Sequence, residues 1–319
     1  MISKNLIEKI FQQEKKSVSR AITLVESGSE KATLLLKELH KETGKAYRIG
    51  ITGPPGAGKS TLTNQLTKFY RSQNKTVGII AVDPTSPFTG GALLGDRVRM
   101  SEIGIDPGVF IRSMATRGSL GGLSKKTIDA ADVLDAAGYD YIIFETVGVG
   151  QSELDIANTA DTTIVVLVPE SGDSIQAMKA GLMEIADFFV LNKSDRPGSE
   201  NAITALRTIL MLRDHTENSW MPNIIKSVAS ENTGIIEIAE EIERHKLFLV
   251  QNNLLKEKRE EHFRIRIKEI VETLMRNELW QKERMKDLNI SLKKVVEGEE
   301  SPYQIAENLF NDFKQHLKV

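Results

Sequence analysis

The sequence predicts an α/β fold with a mainly parallel, doubly wound sheet and with helices added at both ends. Seven short apolar runs alternate with helical patterns between residues 47 and 227, and this alternation is typical of parallel sheets. A glycine-rich segment joins the first run to the first helical pattern, and amphipathic stretches flank the whole region. The predicted strands are 49–52, 77–83, 109–112, 141–145, 163–168, 188–192 and 224–227.

The two ends of the chain are predicted to be helical. Residues 1–45 show two amphipathic patterns, and the stretch between Gly234 and Gly298 contains neither Gly nor Pro, which predicts one or two long helices. A last helix is expected after Pro302. The apolar stripes of these helices either cover the sheet domain or are buried against a second copy of the chain, and the sequence leaves both possibilities open.

Composition excludes several classes of protein. The 319 residues carry 42 Lys+Arg and 44 Asp+Glu, a net charge of −2, which gives no reason to expect a nucleic-acid partner. The absence of cysteine excludes disulfides, thiolate metal sites and cysteine nucleophiles. The longest strongly apolar run is residues 164–168, far short of the ~18 needed to cross a membrane. Without a visible export signal, a cytoplasmic location and no membrane association are expected.

The glycine-rich segment after the first predicted strand fits the pattern G-x-x-x-x-G-K-[ST]. Its residues are Gly53, Pro54, Pro55, Gly56, Ala57, Gly58, Lys59 and Ser60, with Thr61 next. Backbone N–H groups of such a loop surround phosphate oxygens, and the following helix adds a favourable dipole. Lys59 is predicted to contact the β- and γ-phosphates, and the Ser60 hydroxyl to ligate Mg²⁺. The fold is therefore predicted to be a P-loop NTPase.

A second motif predicts which base is bound. Asn192, Lys193 and Asp195 end a predicted strand and match N-K-x-D, and ligands of such sheets bind at the carboxyl ends of strands. The Asp195 carboxylate can accept hydrogen bonds from both N1–H and the exocyclic amino group of guanine, an arrangement that adenine lacks. GTP is therefore predicted over ATP. A further base contact, or an ordinary turn after a strand, is formed by Ser227, Val228 and Ala229.

Acidic residues at strand ends are the candidates for magnesium and for catalysis. Glu145 ends the strand 141–145 and is predicted to hold Mg²⁺ directly or through water, with the N–H of Gly148 bonding the γ-phosphate. Asp83 is predicted to orient the attacking water, or alternatively to cap a helix or turn. Asp96 is predicted to complete the metal shell, or alternatively to form a salt bridge with Arg97 or Arg99. Candidates for stabilising transition-state charge, each with surface ion pairing as the alternative, are Arg97, Arg99, Arg112 and Arg117.

Several of these motifs together resemble one family. The segments are GPPGAGKST, VDPTSP, GDRVRM, ETVGVGQSE, QAMKAGLMEIAD and NKSD. They resemble the methylmalonyl-CoA mutase-associated GTPases (MeaB, also described as ArgK or the LAO/AO transport ATPase), by motif over residues 46–235. The resemblance implies a GTPase of the class that includes signal-recognition and metal-insertion GTPases, with low intrinsic activity stimulated by its partner. The implied partner is an adenosylcobalamin-dependent acyl-CoA mutase, whose cofactor loading the GTPase gates and which it protects or reactivates.

The resemblance also implies an organisation and site roles. It implies a GTPase domain over 46–248 after the helical extension 1–45, and homodimerisation through the helical arm 249–319. The resemblance also implies that Lys179 falls in a segment that the family uses to couple the mutase to the nucleotide site; by its own pattern it is a solvated helix residue. The residues carried over by position to phosphate, Mg²⁺ and guanine are Lys59, Ser60, Asp83, Asp96, Glu145, Asn192, Lys193 and Asp195.

The sequence also allows a comparison with three other functions. A GTP-dependent metal-insertion chaperone needs soft or imidazole ligands, and a chain with no Cys and five scattered His offers no such cluster. An ATP-dependent kinase or ATPase of amino-acid transport conflicts with N-K-S-D. A scaffold that binds nucleotide without turnover stays open until phosphate release is measured.

Overall fold

A seven-stranded sheet forms the centre of the protein. The computed structural model describes residues 3–84, 101–116, 125–146, 155–171, 180–211 and 219–316. The strands are β1 (Tyr47–Thr52), β2 (Val77–Pro84), β3 (Val109–Thr116), β4 (Tyr141–Thr146), β5 (Thr162–Leu167), β6 (Phe188–Asn192) and β7 (Ile224–Ser227). Their order is β3-β2-β4-β1-β5-β6-β7, and all neighbouring strands are parallel. The predicted fold class is thus confirmed, with β3 longer than expected.

Helices connect the strands and extend both ends of the chain. The α-helices within the described ranges are α1 (Lys4–Phe11), α2 (Lys15–Glu26), α3 (Glu30–Leu39), α4 (Lys59–Ser72), α5 (Ser101–Gly104), α6 (Lys125–Ala136), α7 (Ala180–Ile185), α8 (Ser199–Met211), α9 (Ile235–Gln251), α10 (Leu254–Leu279), α11 (Lys282–Val296) and α12 (Pro302–His316).

The number of helices at each end differs from the prediction. Residues 1–45 form three α-helices rather than two, because the chain turns at Gln13 (φ 57°) and Gly28 (φ 64°). The stretch between Gly234 and Gly298 also forms three. Asn253 (φ 59°) ends the first of them, and extended backbone at Gln281 ends the second. Residues with a positive φ leave the helical region of backbone space and so end a helix.

The sheet is covered on both faces, as alternation along its strands requires. On one face, Ile80 and Phe144 belong to a core shared with α1, α2, α3 and α6. On the other face, Ile79 and Ile143 pack in a core with α4 and α9. The N-terminal helices therefore cover the sheet domain, the first of the two possibilities left open for the terminal helices.

The chain divides into two compact units, one ending at Lys258 and the other beginning at Arg259. Within the second unit, Ile305 and Phe313 of α12 are buried, and the guanidinium of Arg284 lies 4.9 Å from the Phe313 ring centre. In the described parts of the chain, no helix combines the length and apolar character that crossing a membrane requires.

The carboxylate of Asp135 ties the N-terminal extension to α6. It accepts hydrogen bonds from the backbone N–H groups of Gly44, Lys45 and Ala46, at 2.8, 3.0 and 2.9 Å. It also lies 3.4 Å from Nη2 of Arg48. Asp135 and Ala46 are buried, whereas Gly44 and Lys45 lie at the surface. The carboxylate therefore fixes the entry into β1, and with it the start of the phosphate loop.

Asp135→Ala is expected to lower the free energy of unfolding by about 2 kcal/mol, because three backbone N–H groups, that of Ala46 buried, lose their acceptor. The Arg48 guanidinium keeps its closer partner, Asp132, at 2.7 Å. Urea unfolding measures this difference. Glu38→Ala, which removes an exposed carboxylate from α3, is the control and should change stability by less than about 0.5 kcal/mol. Equal unfolding midpoints for the two variants would show that Asp135 does not anchor the extension.

A buried histidine lies at the amino ends of the strands, away from the phosphate loop. Nδ1 of His245 is 2.8 Å from Oγ1 of Thr162, and Nε2 is 3.4 Å from Oδ1 of Asp187. Burial lowers the pKa of His245 below its usual value, although the Asp187 carboxylate acts in the opposite direction. The folded protein therefore holds this imidazole neutral more strongly than the unfolded chain does.

This pKa shift predicts a loss of stability in acid. Below about pH 6.5 the unfolded chain binds a proton that folded His245 resists, so the free energy of unfolding falls by at most about 1.4 kcal/mol per pH unit. His245→Gln should remove this contribution, whereas the exposed-site change His40→Gln should keep the wild-type dependence. Urea unfolding between about pH 5.5 and 7.5 measures it. An unchanged pH dependence in His245→Gln would contradict the assignment.

Candidate nucleotide-binding site

The loop between β1 and α4 has a backbone that only glycine permits at two points. Gly53 has φ 133°, and a Cβ there would lie 2.1 Å from the carbonyl oxygen of Val166. Gly58 has φ 90°, and a Cβ there would lie 2.2 Å from Nδ2 of Asn192. Both positions combine a left-handed backbone with close approach of a neighbouring strand or its end. The fixed glycines of the sequence pattern thus shape this loop.

Lys59 holds its ammonium group inside the loop. Nζ donates to the carbonyl oxygens of Gly53 and Pro54, at 2.8 and 2.9 Å, and the residue is only 6% exposed. A buried cation at the start of a helix is attractive to anions, and the helix N-terminus adds to this attraction. The role of Lys59 at phosphate stays a prediction, and this buried positive charge supports it.

A cleft of about 790 Å³ opens beside this loop. Its described lining residues are Pro55, Gly56, Gly58, Lys59, Ser60, Thr61, Asn64, Glu145, Thr146 and Lys193. The pairing of Ile51 with Glu145 in the sheet brings the end of β4 next to the loop. Residues from three separate motifs of the sequence therefore share one cavity.

Ser60 and Glu145 offer oxygen atoms suited to a hard cation. The Ser60 hydroxyl donates a hydrogen bond to Oε1 of Glu145, whose side chain is buried. A hydroxyl and a carboxylate in contact are ligands that Mg²⁺ accepts, together with water and phosphate oxygens. Among the described side chains, no group of three or more His, Asp or Glu is placed so that it could hold a metal ion. The residues present fit a magnesium ion completed by water and nucleotide.

Several of the predicted site residues, or their side chains, lie outside the described residues. The backbone of Asp83 pairs with Ala115 at the end of β2, but its side chain is not described. The others outside the described residues are Asp96, Arg97, Arg99, Arg117, Gly148 and Lys179. Arg112 is described, and its guanidinium pairs with the Glu26 carboxylate on α2. That contact matches the ion-pairing alternative for this arginine.

Asn192 joins the phosphate loop to the segment after β7. Its Nδ2 donates to the carbonyl oxygen of Ala57 at 2.8 Å. Its Oδ1 accepts from the backbone N–H of Ala229 at 3.0 Å and from the Ser227 hydroxyl at 3.1 Å. The side chain is buried, so this amide fixes one loop against the other. The N-K-x-D pattern predicts only a part in base recognition for Asn192, and nothing in the sequence indicates this bridge.

In the rest of the N-K-x-D segment, Lys193 lines the cleft. Lys193 has φ 55°, and its Nζ donates to the carbonyl oxygen of Gly56 at 2.8 Å. Asp195 is exposed to solvent. The backbone N–H of Ser194 donates to the carbonyl oxygen of Ser227 at 3.1 Å, and Val228 pairs with Thr233. The two predicted base-contact segments therefore lie side by side.

Two lining residues were not predicted. Thr146 follows Glu145 at the end of β4, and its hydroxyl donates to that of Thr52 at 2.9 Å. Asn64 lies on α4, four residues after Ser60, and residues at this spacing share a helix face. Because the start of α4 is predicted to bind phosphate and magnesium, this spacing from Ser60 could have predicted that Asn64 lines the same cleft.

Comparisons with known proteins place the chain in a family. The family described as methylmalonyl-CoA mutase-associated GTPase MeaB matches residues 18–284. A putative GTPase of Pyrococcus abyssi (strain GE5 / Orsay) is 47% identical over 96% of this chain and 95% of its own. The mitochondrial methylmalonic aciduria type A homolog of Mus musculus is 33% identical over 96% of this chain and 78% of its own.

A solved structure has the same fold. The crystal structure of a LAO/AO transport system kinase is 28% identical, with a TM-score of 0.72 over 98% of this chain and 99% of that chain. The match to the family covers most of the chain and includes the phosphate loop, Glu145 and the N-K-x-D segment. The chain belongs to the methylmalonyl-CoA mutase-associated GTPase MeaB family and is, by that membership, a P-loop GTPase.

Proposed function

We propose that this protein binds GTP with Mg²⁺, hydrolyses it to GDP and phosphate, and acts as a chaperone of an adenosylcobalamin-dependent acyl-CoA mutase. The observation that carries the nucleotide part is the Asn192 bridge, which holds the phosphate loop against the segment after β7. A single amide thereby joins the loop proposed for phosphate to the segment proposed for the base. Such a span suits a nucleoside triphosphate better than inorganic phosphate.

At the phosphate end, the loop N–H groups and the ammonium of Lys59 bind the β- and γ-phosphates. Ser60 and Glu145 would hold Mg²⁺, with Asp83 and Asp96 completing its shell. The ion, when bound, would neutralise negative charge that develops on the phosphate oxygens. Asp83 is also proposed to orient the attacking water, and Gly148 to bond the γ-phosphate through its N–H.

At the base end, we assign guanine to Lys193, Asp195 and the segment 227–229. The exposed carboxylate of Asp195 is free to accept the paired N–H groups that guanine presents and adenine lacks. Competition between GTP and ATP for a fluorescent GDP analogue tests this assignment. GTP should displace the analogue at a concentration at least about 100-fold lower than ATP does. A preference for ATP would favour the kinase alternative instead.

The proposed partner follows from the family, whose description links its members to methylmalonyl-CoA mutase. GTP binding and hydrolysis would gate cofactor loading and help to protect or reactivate the mutase, in the cytoplasm. Such a switch requires the mutase to prefer one nucleotide state of the GTPase.

A homodimer through residues 249–319 is part of the proposal. Within the second unit, large apolar side chains are exposed on α10 and α11, among them Ile267 (60%), Leu274 (62%) and Ile290 (68%). Exposed apolar surface of this kind is typical of protein interfaces. Sedimentation equilibrium should give the mass of two chains, and the mass of one chain would contradict the dimer.

Lys179 is proposed to couple the mutase to the nucleotide site. Lys179→Ala should keep the basal rate of GTP hydrolysis and lose most of the stimulation by the mutase. Lys37→Ala, an exposed lysine on α3, is the control and should be stimulated like the wild type. Phosphate release with and without mutase measures both variants. Retained stimulation in Lys179→Ala would refute the coupling role.

A further inference from the structure

The side-chain amide of Asn64 presents an acceptor to the cleft that no described residue uses. Asn64 lines the cleft with Ser60 and Glu145. Its Oδ1 atom is buried and accepts no hydrogen bond from the residues that the structure describes. Native proteins rarely leave a buried carbonyl oxygen without a donor, because its lost hydration is then not replaced. The position of this oxygen therefore points to a donor that binds in the cleft.

The neighbours of Asn64 indicate which end of the cleft this donor occupies. Asn64 lies one helical turn after Ser60 on the same face of α4, and the Ser60 hydroxyl contacts Glu145. Lys193, which borders the base end, comes from the segment after β6. Asn64 thus belongs to the Ser60 and Glu145 end, where magnesium is proposed to bind.

The chemistry of this end narrows the choice of donor. Phosphate oxygens of a nucleotide are acceptors and cannot donate to a carbonyl oxygen. Magnesium keeps several of its waters when it binds to proteins, and the ion polarises their O–H groups into strong donors. A neutral amide oxygen next to the ion can accept from such a water without adding charge to the site.

We propose that Asn64 is a positioning residue for hydrated magnesium, accepting a hydrogen bond from a water molecule of the Mg²⁺ shell through Oδ1. The inference rests on the proposed function, because it takes Mg²⁺ as the ion held by Ser60 and Glu145. It adds a residue of α4 to a site otherwise assigned to Ser60 and to acidic residues after strands. Substitution of a residue that holds a metal-bound group in this way typically lowers metal affinity by 10- to 100-fold.

The test is the dependence of fluorescent GDP binding on the concentration of Mg²⁺, measured on the full chain. Asn64→Ala should raise the Mg²⁺ concentration at half-effect by about 10-fold and leave GDP affinity in EDTA unchanged. Asn64→Asp keeps an acceptor at the same place and should restore the midpoint to within about threefold of wild type. Gln65→Ala, the adjacent and partly buried residue of α4, is the control and should behave like wild type.

Unfolding in the absence of Mg²⁺ separates this role from a structural one. Asn64→Ala removes an oxygen that has no described protein donor, so the urea midpoint should be unchanged or higher. A lower midpoint would mean that the amide holds the fold together, and it would overturn the inference.

The remaining outcomes are also decisive. An unchanged Mg²⁺ midpoint in Asn64→Ala overturns the inference and leaves the proposed function intact. A shift far above 100-fold would indicate direct ligation, and weaker GDP binding by Asn64→Ala in EDTA would indicate an amide N–H on phosphate; either contradicts the water contact. If wild-type GDP binding does not depend on Mg²⁺, the magnesium part of the proposed function is wrong, and this inference is wrong with it.

Discussion

Lys59→Ala is expected to weaken GTP and GDP binding by at least about 100-fold, on the order of 3 kcal/mol. The lost group is a buried ammonium held by the carbonyl oxygens of Gly53 and Pro54. Its removal takes away both the positive charge facing the phosphates and two hydrogen bonds that brace the loop. Titration with a fluorescent GDP analogue measures the loss.

A second lysine of the same helix supplies the control. Lys68 of α4 is about half exposed and pairs with Glu102 at the surface, and exposed pairs of this kind contribute little. Lys68→Ala should therefore bind GDP within about twofold of wild type. If the two alanine variants bound GDP equally well, the loop would not be the phosphate site.

Asp195→Asn is expected to exchange the base preference of the protein. The carboxylate accepts two hydrogen bonds from guanine, whereas an amide offers one acceptor and one donor. Xanthine carries an oxygen in place of the guanine amino group and so complements the amide. GTP affinity should fall by about 100-fold or more, and xanthosine triphosphate should become the tighter ligand.

The fold should tolerate this change, because Asp195 is exposed. Asp287→Asn removes the same charge from another exposed position and should keep the wild-type preference. Competition of each triphosphate against fluorescent GDP gives the ratio of affinities. A variant Asp195→Asn that still preferred GTP would show that guanine is recognised elsewhere.

The sheet and the phosphate loop could be predicted from the sequence because their signals are local. Each strand is an apolar run, and the loop is a fixed spacing of glycines before Lys59. The helix count was wrong at both ends because Gln13 and Asn253 end helices through a positive φ. Gln carries no such signal in the sequence, and Asn is a weaker one than Gly. Such breaks are settled by packing of the flanking helices.

The contacts of the site were less predictable than its motifs. The Asn192 bridge depends on the register of β6 with β7, which pairs Asn192 with Ser227, and on the approach of Ala57 from the phosphate loop. Neither follows from one segment alone. The meeting of Ser60 with Glu145 likewise depends on the pairing of β1 with β4. The motifs predict which residues belong to such a site, and the order of the strands determines which of them come into contact.

The phosphate loop by itself does not separate the rival functions, since one fold supports many activities. A kinase, a metal-insertion chaperone and a mutase chaperone can all bind a nucleotide in this way. They differ in which base they recognise and in which process is coupled to nucleotide hydrolysis. The decisive experiments therefore concern the base and the partner.

GTP hydrolysis with and without an adenosylcobalamin-dependent acyl-CoA mutase tests the central claim most directly. Phosphate release is followed for the wild-type protein and for Lys59→Ala, the inactive control, each with and without the mutase. The mutase preparation must release no phosphate from GTP by itself. The proposed function predicts a low basal rate that rises at least about tenfold when the mutase is added, and no release from Lys59→Ala. An identical rate with and without every such mutase tried would contradict it.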